Sequence, residues 1–233
     1  MDVGTGVDAS TEPMIANAPQ YLFDPADKPC LPLHEVPLVE ATDDSVQGYG
    51  CLVDHPDDID IEIVRWPATG WRKVDEDSGD EGGWVEGIFH GEWQGDVLYG
   101  RNEAVSGHYV LGWSTTDPQL ASTTQQTAPR DQVLLWHMNY HPDGGQLFFP
   151  QDRSAFVVPV ALPGDDLAVE QVIALWCDGS RGLYIHPGIW HDGIFPAAQR
   201  QRFLDRQGRV HARVSCDLAA EFGVYLSVPL VHG

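Results

Sequence analysis

Short segments in which apolar and polar residues alternate run through most of the chain. From residue 84 onward, stretches such as WVEGIFHGEW and DVLYG are separated by Gly or Asn. Alternation with a period of two residues is typical of strands that bury one face. Further segments of this kind follow in the second half: VLLWHMNYH, QLFFP, SAFVVPVAL, VIALWCDG, GLYIHPGIWH, RVHARVSCDL and FGVYLSVPLV. The pattern predicts an all-β fold, and the close spacing of the segments favours a sandwich or a barrel.

Three places interrupt this pattern. Residues 114–131 form a polar stretch that predicts a loop, and residues 165–176 are the one segment expected to hold a short helix, with Asp165 or Asp166 as its N-cap. Pro159 stands inside the SAFVVPVAL segment. Because proline cannot donate a ladder hydrogen bond, it predicts an edge strand or a bulge there.

The composition excludes two classes of protein. The chain has 233 residues with 24 glycines and 17 prolines, too many helix breakers for a helical bundle. Hydrophobic residues make up 42% of the chain, which is enough to form a core and argues against global disorder. Residues 1–30 are small, polar and aperiodic, so we expect a flexible or extended N-terminal arm followed by a single domain over residues 31–233.

The charge balance bears on partners. With 13 basic and 35 acidic residues the formal net charge is −22, which repels phosphate backbones and anionic lipids. We therefore expect no nucleic-acid partner and no membrane association. The first residues lack the basic and apolar regions of a signal peptide, and the cysteines show no disulfide or zinc spacing. These features favour a cytoplasmic protein with reduced thiols.

Candidate chemistry concentrates in two windows that hold four of the ten histidines. In the first window, His137, Asn139 and His141 are two residues apart, so a regular strand points them to one face. Gln146 follows after a Pro-Asp-Gly-Gly turn that can bring the next strand back beside His141. In the second window, His186 and the following histidine flank a Pro-Gly turn.

The two windows resemble the two motifs of a cupin barrel. The first cupin motif has two histidines separated by one residue and then a Glu, and the second has a Gly three residues before a His. The matching positions are Asn139, His141, Gln146, Gly188 and His191. The resemblance implies a cupin-type double-stranded β-helix, also called a jelly-roll barrel.

In a cupin these positions hold a metal, which makes one divalent ion (Ni, Mn, Fe or Zn) the expected cofactor, held by His141, His191 and Gln146. Amides are weaker ligands than imidazole or carboxylate, and two of the four ligand positions carry amides here. Either the site holds its ion with fewer strong ligands, recruiting His137 or His186, or it holds none.

Sequence blocks within and around these windows resemble the ureidoglycolate lyase family of cupin enzymes. The blocks are HPDGGQLFFP, FVVPVALPGDD and CDGSRGLYIHPGIWHDGIFP, and residues 36–54, VPLVEATDDSVQGYGCLVD, are similar to the N-terminal segment of that family. The resemblance implies an enzyme of allantoin degradation that splits ureidoglycolate into glyoxylate and urea. It also implies a homodimer, because cupin sheets often pair across subunits.

The sequence departs from this family at the pocket. Asn139 and Tyr140 stand where the family usually has Glu-Arg, and residues 151–153 replace a common Lys. Residues 57–100, acidic and rich in Trp, are longer than the usual connection, which indicates an insertion. Arginine is the natural partner of a substrate carboxylate, so its loss suggests a different substrate. The candidate replacements are Arg130, Arg153 and Arg181.

The resulting hypothesis is a carbon–nitrogen lyase acting on a small polar substrate that bears a carboxylate. We expect His141 and His191 as base and acid or as metal ligands, with His137 as a further catalytic candidate. If both are metal ligands, activity should fall as the pH drops toward about 6. The expected substrate-binding residues are Asn139, Tyr140, Gln146, His186 and Trp190.

Two alternatives remain open at this point. A metal-dependent cupin dioxygenase or isomerase would use the same pocket with bound iron or manganese. A cupin that binds a small ligand without turning it over is the other alternative, and the two amides at ligand positions favour it.

Overall fold

The computed structural model describes residues 20–64, 70–76, 78, 82–209 and 212–232. Most of the N-terminal arm expected over residues 1–30 therefore lies outside the described residues. The strands are β1 Gln20–Tyr21, β2 Leu33–Glu35, β3 Leu38–Glu40, β4 Gly50–Val53, β5 Trp84–Gln94, β6 Val97–Asn102, β7 Gly107–Trp113, β8 Gln132–Leu135, β9 His137–Tyr140, β10 Gln146–Pro150, β11 Phe156–Ala161, β12 Ile173–Cys177, β13 Gly182–Ile185, β14 Trp190–His191, β15 Phe195–Pro196, β16 Arg200–Gly208, β17 Val214–Asp217 and β18 Tyr225–Pro229.

Helices are short in the described part of the chain. The 3-10 helices are Pro25–Asp27, Pro56–Asp58, Pro118–Leu120 and Val169–Gln171, and the α-helix α1 is Leu218–Phe222. Within the described residues, no helix is both long and apolar enough to cross a membrane.

The strands form two sheets. An 11-stranded sheet has the order β2-β18-β8-β7-β6-β5-β16-β10-β13-β4, with β1 paired to β7. A 7-stranded sheet has the order β17-β9-β14-β11-β12-β3, with β15 paired to β11. The predicted all-β fold is confirmed, and the two sheets enclose a common core as expected for a cupin-type barrel.

Strand β16 shows how alternation builds the interior. It pairs with β5 on one side and β10 on the other, and every second side chain is buried. The buried series is Gln201, Phe203, Asp205 and Gln207. The ring of Phe203 packs edge-on against that of Phe156, with ring centroids 5.1 Å apart. The interior therefore has an aromatic part and, beyond it along the strand, a polar part.

The helix prediction for residues 165–176 is wrong. That segment holds only the 3-10 turn Val169–Gln171 and then enters β12, because its apolar residues pair with β11 in the 7-stranded sheet. The α-helix lies at α1 instead. The side chain of Asp217 caps it by accepting from the backbone N–H of Ala220, and Gly223 ends it in the left-handed conformation at φ 66°.

Pro159 lies in an inner strand of its sheet. Strand β11 has β12 on one side, where Pro159 pairs with Ala174, and the short strands β14 and β15 on the other. Those two strands pair with residues 160–161 and 156–157, so the ladder is interrupted opposite the proline. Pro159 has no backbone N–H to donate, and the interruption of the ladder accommodates this, so the proline does not need an edge strand.

The acidic stretch near residues 57–100 ends within the larger sheet. Its last part forms β5 and enters β6, and β5 pairs with β16 over nine residues. An earlier part, Ile63, forms an isolated bridge with Gly144 in the β9–β10 turn. This stretch therefore contributes strands to the barrel and also touches the turn that follows His141.

Candidate functional site

Strands β9 and β14 bring the two histidine windows together. Asn139 and His191 are directly paired in the antiparallel ladder, so their side chains share one face of the 7-stranded sheet. His141 follows β9 on the same phase. The imidazole centroids of His141 and His191 lie 5.0 Å apart, and the side chains are only 5% and 3% exposed. The predicted pairing of these histidines is present in the fold.

Backbone carbonyls fix both imidazole rings. Nδ1 of His141 lies 2.9 Å from the carbonyl oxygen of Ala212, and Nδ1 of His191 lies 2.8 Å from that of Ile189. A carbonyl oxygen only accepts, so each Nδ1 carries the proton. In the neutral ring the lone pair is then on Nε2, which makes both rings able to accept a proton at that atom.

Gln146 reaches this pair from the opposite sheet, at the start of β10. Its Oε1 lies 3.2 Å from Nε2 of His191, and its Nε2 lies 2.8 Å from Oδ1 of Asp205. The other oxygen of Asp205 accepts from Nδ2 of Asn102 at 2.8 Å. A continuous polar chain thus joins the histidine to the 11-stranded sheet.

Asp205 and Asn102 were missed by the sequence reasoning. Neither belongs to a local motif, since they lie in β16 and β6. The one available signal was the alternation of side chains along β16, which places the carboxylate of Asp205 on the same buried face as Phe203. Burial of a charged type in an otherwise apolar series is informative, because Asp is rarely buried without partners.

Burial shifts the pKa values of Asp205 and His191 in opposite directions. Desolvation raises the pKa of Asp205 to about 7, although the hydrogen bonds from Gln146 and Asn102 work against the rise. Desolvation also lowers the pKa of His191 to about 4, opposed by its bond to the carbonyl of Ile189. His191 is therefore a neutral base at physiological pH.

His137 lies at the far end of β9 from His141. It pairs in register with Asp217, and its ring lies 5.1 Å from that of Trp136. Desolvation, helped by the positive charge of Arg213, lowers the pKa of His137 to about 4. The structure thus places this third catalytic candidate four residues along the strand from the central pair.

Tyr140 and Trp190 lie on the other face of β9 and β14, and His186 lies just after β13. The hydroxyl of Tyr140 donates to Oδ1 of Asp165 at 2.8 Å, and its ring packs edge-on against Trp190 at 4.7 Å. Tyr140 and His186 line an outer cavity of about 490 Å³ together with Asp165. Trp190 is fully buried behind Tyr140, with Nε1 donating to the carbonyl of Gly164.

The outer cavity is therefore a separate site from the inner pair of His141 and His191. The outer cavity is lined by Glu62, Val64, Gly70, Tyr140, Pro142, Pro163, Gly164, Asp165, His186, Pro187 and Gly188. A backbone hydrogen bond joins it to the inner site, in which the N–H of Gly188 donates to the carbonyl of His141. Its two carboxylates make it a poor place for an anionic substrate.

Two of the candidate replacement arginines are engaged elsewhere. Arg130 donates to the side chain of Gln199 and to the carbonyl of Gly95, and Arg181 forms an ion pair of 2.7 Å with Asp43. The third candidate, Arg153, is exposed after β10, with a positive φ of 56°.

Two other arginines lie nearer the histidine-bearing sheet. Arg72 donates to both carboxylate oxygens of Glu221 and lies over the ring of Trp190, 5.4 Å from its centre. Nε of Arg213 donates to Asp75 at 2.6 Å. Sequence reasoning missed both, because the segments that carry them have no recognisable motif.

The donor set around His141 and His191 does not fit the divalent ion that the fold family implies. It offers two imidazole nitrogens and the neutral amide of Gln146, whose nitrogen is held by Asp205. Nickel, manganese, iron and zinc sites in proteins are built from three or more imidazole, thiolate or carboxylate donors. In the described part of the chain, no group of three His, Cys, Asp or Glu side chains is placed to hold a metal ion.

The sequence is similar to those of known proteins. A family model described as "Ureidoglycolate lyase" matches residues 114–220. The ureidoglycolate lyase of Azotobacter vinelandii is 29% identical over 124 residues, 46% of this chain and 73% of that relative. That of Stutzerimonas stutzeri is 28% identical over 130 residues, 49% of this chain and 75% of the relative.

A similar protein from Pseudomonas fluorescens, also named ureidoglycolate lyase, is 36% identical over 120 residues. That alignment covers 44% of this chain and 72% of the relative. The region matched by the family model includes both histidine windows and β16, whereas the similarity suggested for residues 36–54 lies outside it.

Proposed function

This chain belongs to the ureidoglycolate lyase family, and from that premise we propose that it cleaves the carbon–nitrogen bond of ureidoglycolate. Asn139 and Tyr140 differ from the residues usual in the family. If they change the specificity, the substrate is a closely related ureido hydroxy acid. The observation that carries the proposal is the pair His141 and His191, which face each other inside the barrel with both Nδ1 atoms held by backbone carbonyls.

The reaction requires only proton transfers. The hydroxyl O–H bond breaks, the carbonyl of glyoxylate forms, the C–N bond breaks, and the leaving nitrogen of urea takes up a proton. The proton lost from oxygen balances the proton gained by nitrogen, so no water, oxidant or reductant is consumed. A positioned base and a positioned acid supply such steps.

The two histidines fit these roles. One Nε2 accepts the hydroxyl proton, and the protonated ring then becomes the acid for the leaving nitrogen. Desolvation lowers the pKa of His191 to about 4, so a proton placed on it is given up readily. The neighbouring ring, with centroids 5.0 Å apart, flanks the same substrate and accepts a hydrogen bond at its own Nε2.

Neutral amides orient the substrate in this proposal. Oδ1 of Asn139 is buried and has no hydrogen-bond partner among the residues that the structure describes. It can accept a hydroxyl or ureido proton beside His191, with which Asn139 is paired in the ladder. Gln146 holds the other side of the inner site through its link to Asp205.

The test is release of glyoxylate from ureidoglycolate by the purified protein and by His141→Ala and His191→Ala. We expect each variant to lose at least about 10²-fold in kcat, the usual contribution of a general base or acid. His108→Ala, an exposed histidine on β7, is the matched control and should keep wild-type activity.

Circular dichroism and thermal melting show whether the variants fold, and His191→Gln serves as a second, more conservative variant. Folded His191 variants with unchanged turnover would place the chemistry elsewhere. Tight binding of ureidoglycolate by the wild type without product would favour the ligand-binding alternative.

A further inference from the structure

Gln207 is a buried amide that the proposed chemistry does not yet use. It is 0% exposed and belongs to the inward series of β16 with Asp205. In register it lies directly opposite Gln146 on β10. Directly opposed side chains share a face, with Cβ atoms about 4.5–5.5 Å apart, so both amides face the same interior space.

Neither polar atom of this amide is bonded within the described part of the chain. Both Oε1 and Nε2 of Gln207 are buried without a hydrogen bond to any of the residues that the structure describes. Buried side-chain amides are nearly always bonded, since an unpaired buried polar group is costly. A fully buried glutamine with donor and acceptor both unused is therefore a feature to be explained by what enters the interior.

The same residue type on the same strand provides a contrast. Gln201, six residues earlier on the inward series, donates from Nε2 to the carbonyl of Ser154 at 2.6 Å. The aromatic ring of Phe203 follows it along the series. The protein itself accepts a hydrogen bond from the NH2 group of Gln201. Within the described residues, the NH2 group and the carbonyl of Gln207 are both left for a ligand to bind.

We propose that Gln207, together with Gln146, forms a subsite for the ureido group of the substrate. The inference rests on the proposed function and deepens it by assigning the part of the substrate that the large sheet binds. The carbonyl of Gln207 accepts from a ureido N–H, and its NH2 group donates to the ureido oxygen. The histidine pair on the facing sheet then meets the carbon that bears the hydroxyl.

Hydrogen-bond chemistry selects this ligand class. A carboxylate only accepts, so it would leave the carbonyl of Gln207 unpaired, and an ammonium only donates, so it would leave the NH2 group unpaired. A ureido group presents an N–H donor and a carbonyl acceptor on neighbouring atoms of one plane. It therefore satisfies both functions of a single amide.

The test uses hydantoate, the ureido acid that lacks the hydroxyl and therefore cannot undergo the cleavage. Its binding is measured by titration calorimetry to the wild type, to Gln207→Leu and to Gln207→Met. We expect at least tenfold weaker binding in both variants, because a site built to hydrogen-bond a polar group loses affinity when that bond is removed. Gln201→Leu is the matched control and should bind hydantoate as the wild type does.

A purely structural role for Gln207 predicts that Gln207→Leu lowers the melting temperature. The subsite predicts that it does not fall, because replacing a buried amide that has no partner among the described residues by an apolar side chain of similar size leaves stability unchanged or raises it. N-acetylglycine carries a methyl group in place of the terminal NH2, so it keeps the oxygen acceptor and loses one N–H donor. It should bind the wild type more weakly than hydantoate does, and its affinity should fall less than that of hydantoate in Gln207→Leu.

The outcomes separate this inference from the proposed function. If the wild type releases glyoxylate but hydantoate binds the folded Gln207 variants unchanged, or does not bind the wild type saturably, the subsite is wrong and the lyase activity stands. If the wild type releases no glyoxylate while hydantoate binding depends on Gln207, the lyase activity is wrong and the subsite stands.

Discussion

The contact between Gln146 and His191 specifies where protons lie in the inner site. Because Nδ1 of His191 donates to a backbone carbonyl, its Nε2 carries a lone pair, and Oε1 of Gln146, 3.2 Å away, is also an acceptor. The contact becomes a hydrogen bond when Nε2 of His191 takes up a proton, because the protonated ring donates to Oε1 of Gln146 while the NH2 group of Gln146 stays with Asp205. Burial raises the pKa of Asp205 to about 7, so this carboxyl takes up a proton near neutral pH.

We predict that Asp205→Asn stabilises the protein at high pH relative to the wild type. Burial raises the folded pKa of Asp205 to about 7, above the unfolded value of about 3.9. Its stabilising contribution is therefore complete below about pH 4 and is lost as the pH rises through 7. Asparagine does not ionise, so the difference in Tm between variant and wild type should increase by roughly 6–12 °C from pH 4.5 to pH 8.

Differential scanning calorimetry at several pH values between 4.5 and 8 measures this difference. The same substitution at Asp131, which is exposed before β8, is the control and should give a Tm profile parallel to that of the wild type. A Tm difference for Asp205→Asn that stays constant with pH would mean that this carboxyl is ionised throughout.

A second prediction at this scale concerns the metal. Because the donor set around His141 and His191 does not suit a divalent ion, protein treated with a chelator and dialysed should keep its full activity. Elemental analysis of protein purified without a metal-affinity column measures the content directly. Stoichiometric nickel, manganese, iron or zinc whose removal abolishes turnover would contradict this and make His141, His191 and Gln146 the ligands.

The sequence predicted part of this site because part of it is local. His141, Gln146 and His191 belong to two short motifs whose spacing can be read directly. Asp205 and Gln207 reach the same space only through the register of β16 with β10. No spacing along the chain encodes that register, so a single sequence could not place them.

At the scale of elements, alternation predicted strands well and short helices poorly. The apolar run that forms β12 is buried in the sheet and carries no clear period, so its helix and strand interpretations were equivalent. Helix α1, with five residues, is too short to show a helical stripe. Its only signals were Asp217 at the N-cap and Gly223 at the end, and both are common outside helices.

The pairing of β4 with β13 gives a prediction about packing. Gly50 pairs with Ile185, and a Cβ at Gly50 would lie 1.8 Å from the carbonyl oxygen of Tyr184. Gly50→Ala should therefore force the strands apart and lower the free energy of unfolding by about 1–3 kcal/mol. Urea denaturation measures the loss.

Gly82→Ala is the matched control, since a Cβ at Gly82 meets nothing within 4 Å. It should leave the denaturation midpoint close to that of the wild type. Equal midpoints for the two variants would show that β4 can shift away from β13 at little cost.

At the scale of the whole molecule, the inner site depends on both sheets. The 7-stranded sheet supplies His191 from β14 and His141 from the residue after β9. The 11-stranded sheet supplies Gln146, Asp205 and Gln207. The contact of His191 with Gln146 joins the sheets across the interior. The barrel therefore holds the proposed proton-transfer groups on one side and the proposed ureido subsite on the other. The homodimer implied by the family resemblance remains a prediction.

The most direct test of the proposed carbon–nitrogen cleavage is the product balance from ureidoglycolate. Glyoxylate, urea and ammonia are quantified together after complete turnover by the wild type. Cleavage by proton transfer alone predicts glyoxylate and urea in equal amounts, with no ammonia. Release of ammonia in place of urea would show that the ureido group is hydrolysed, and would contradict the lyase reaction.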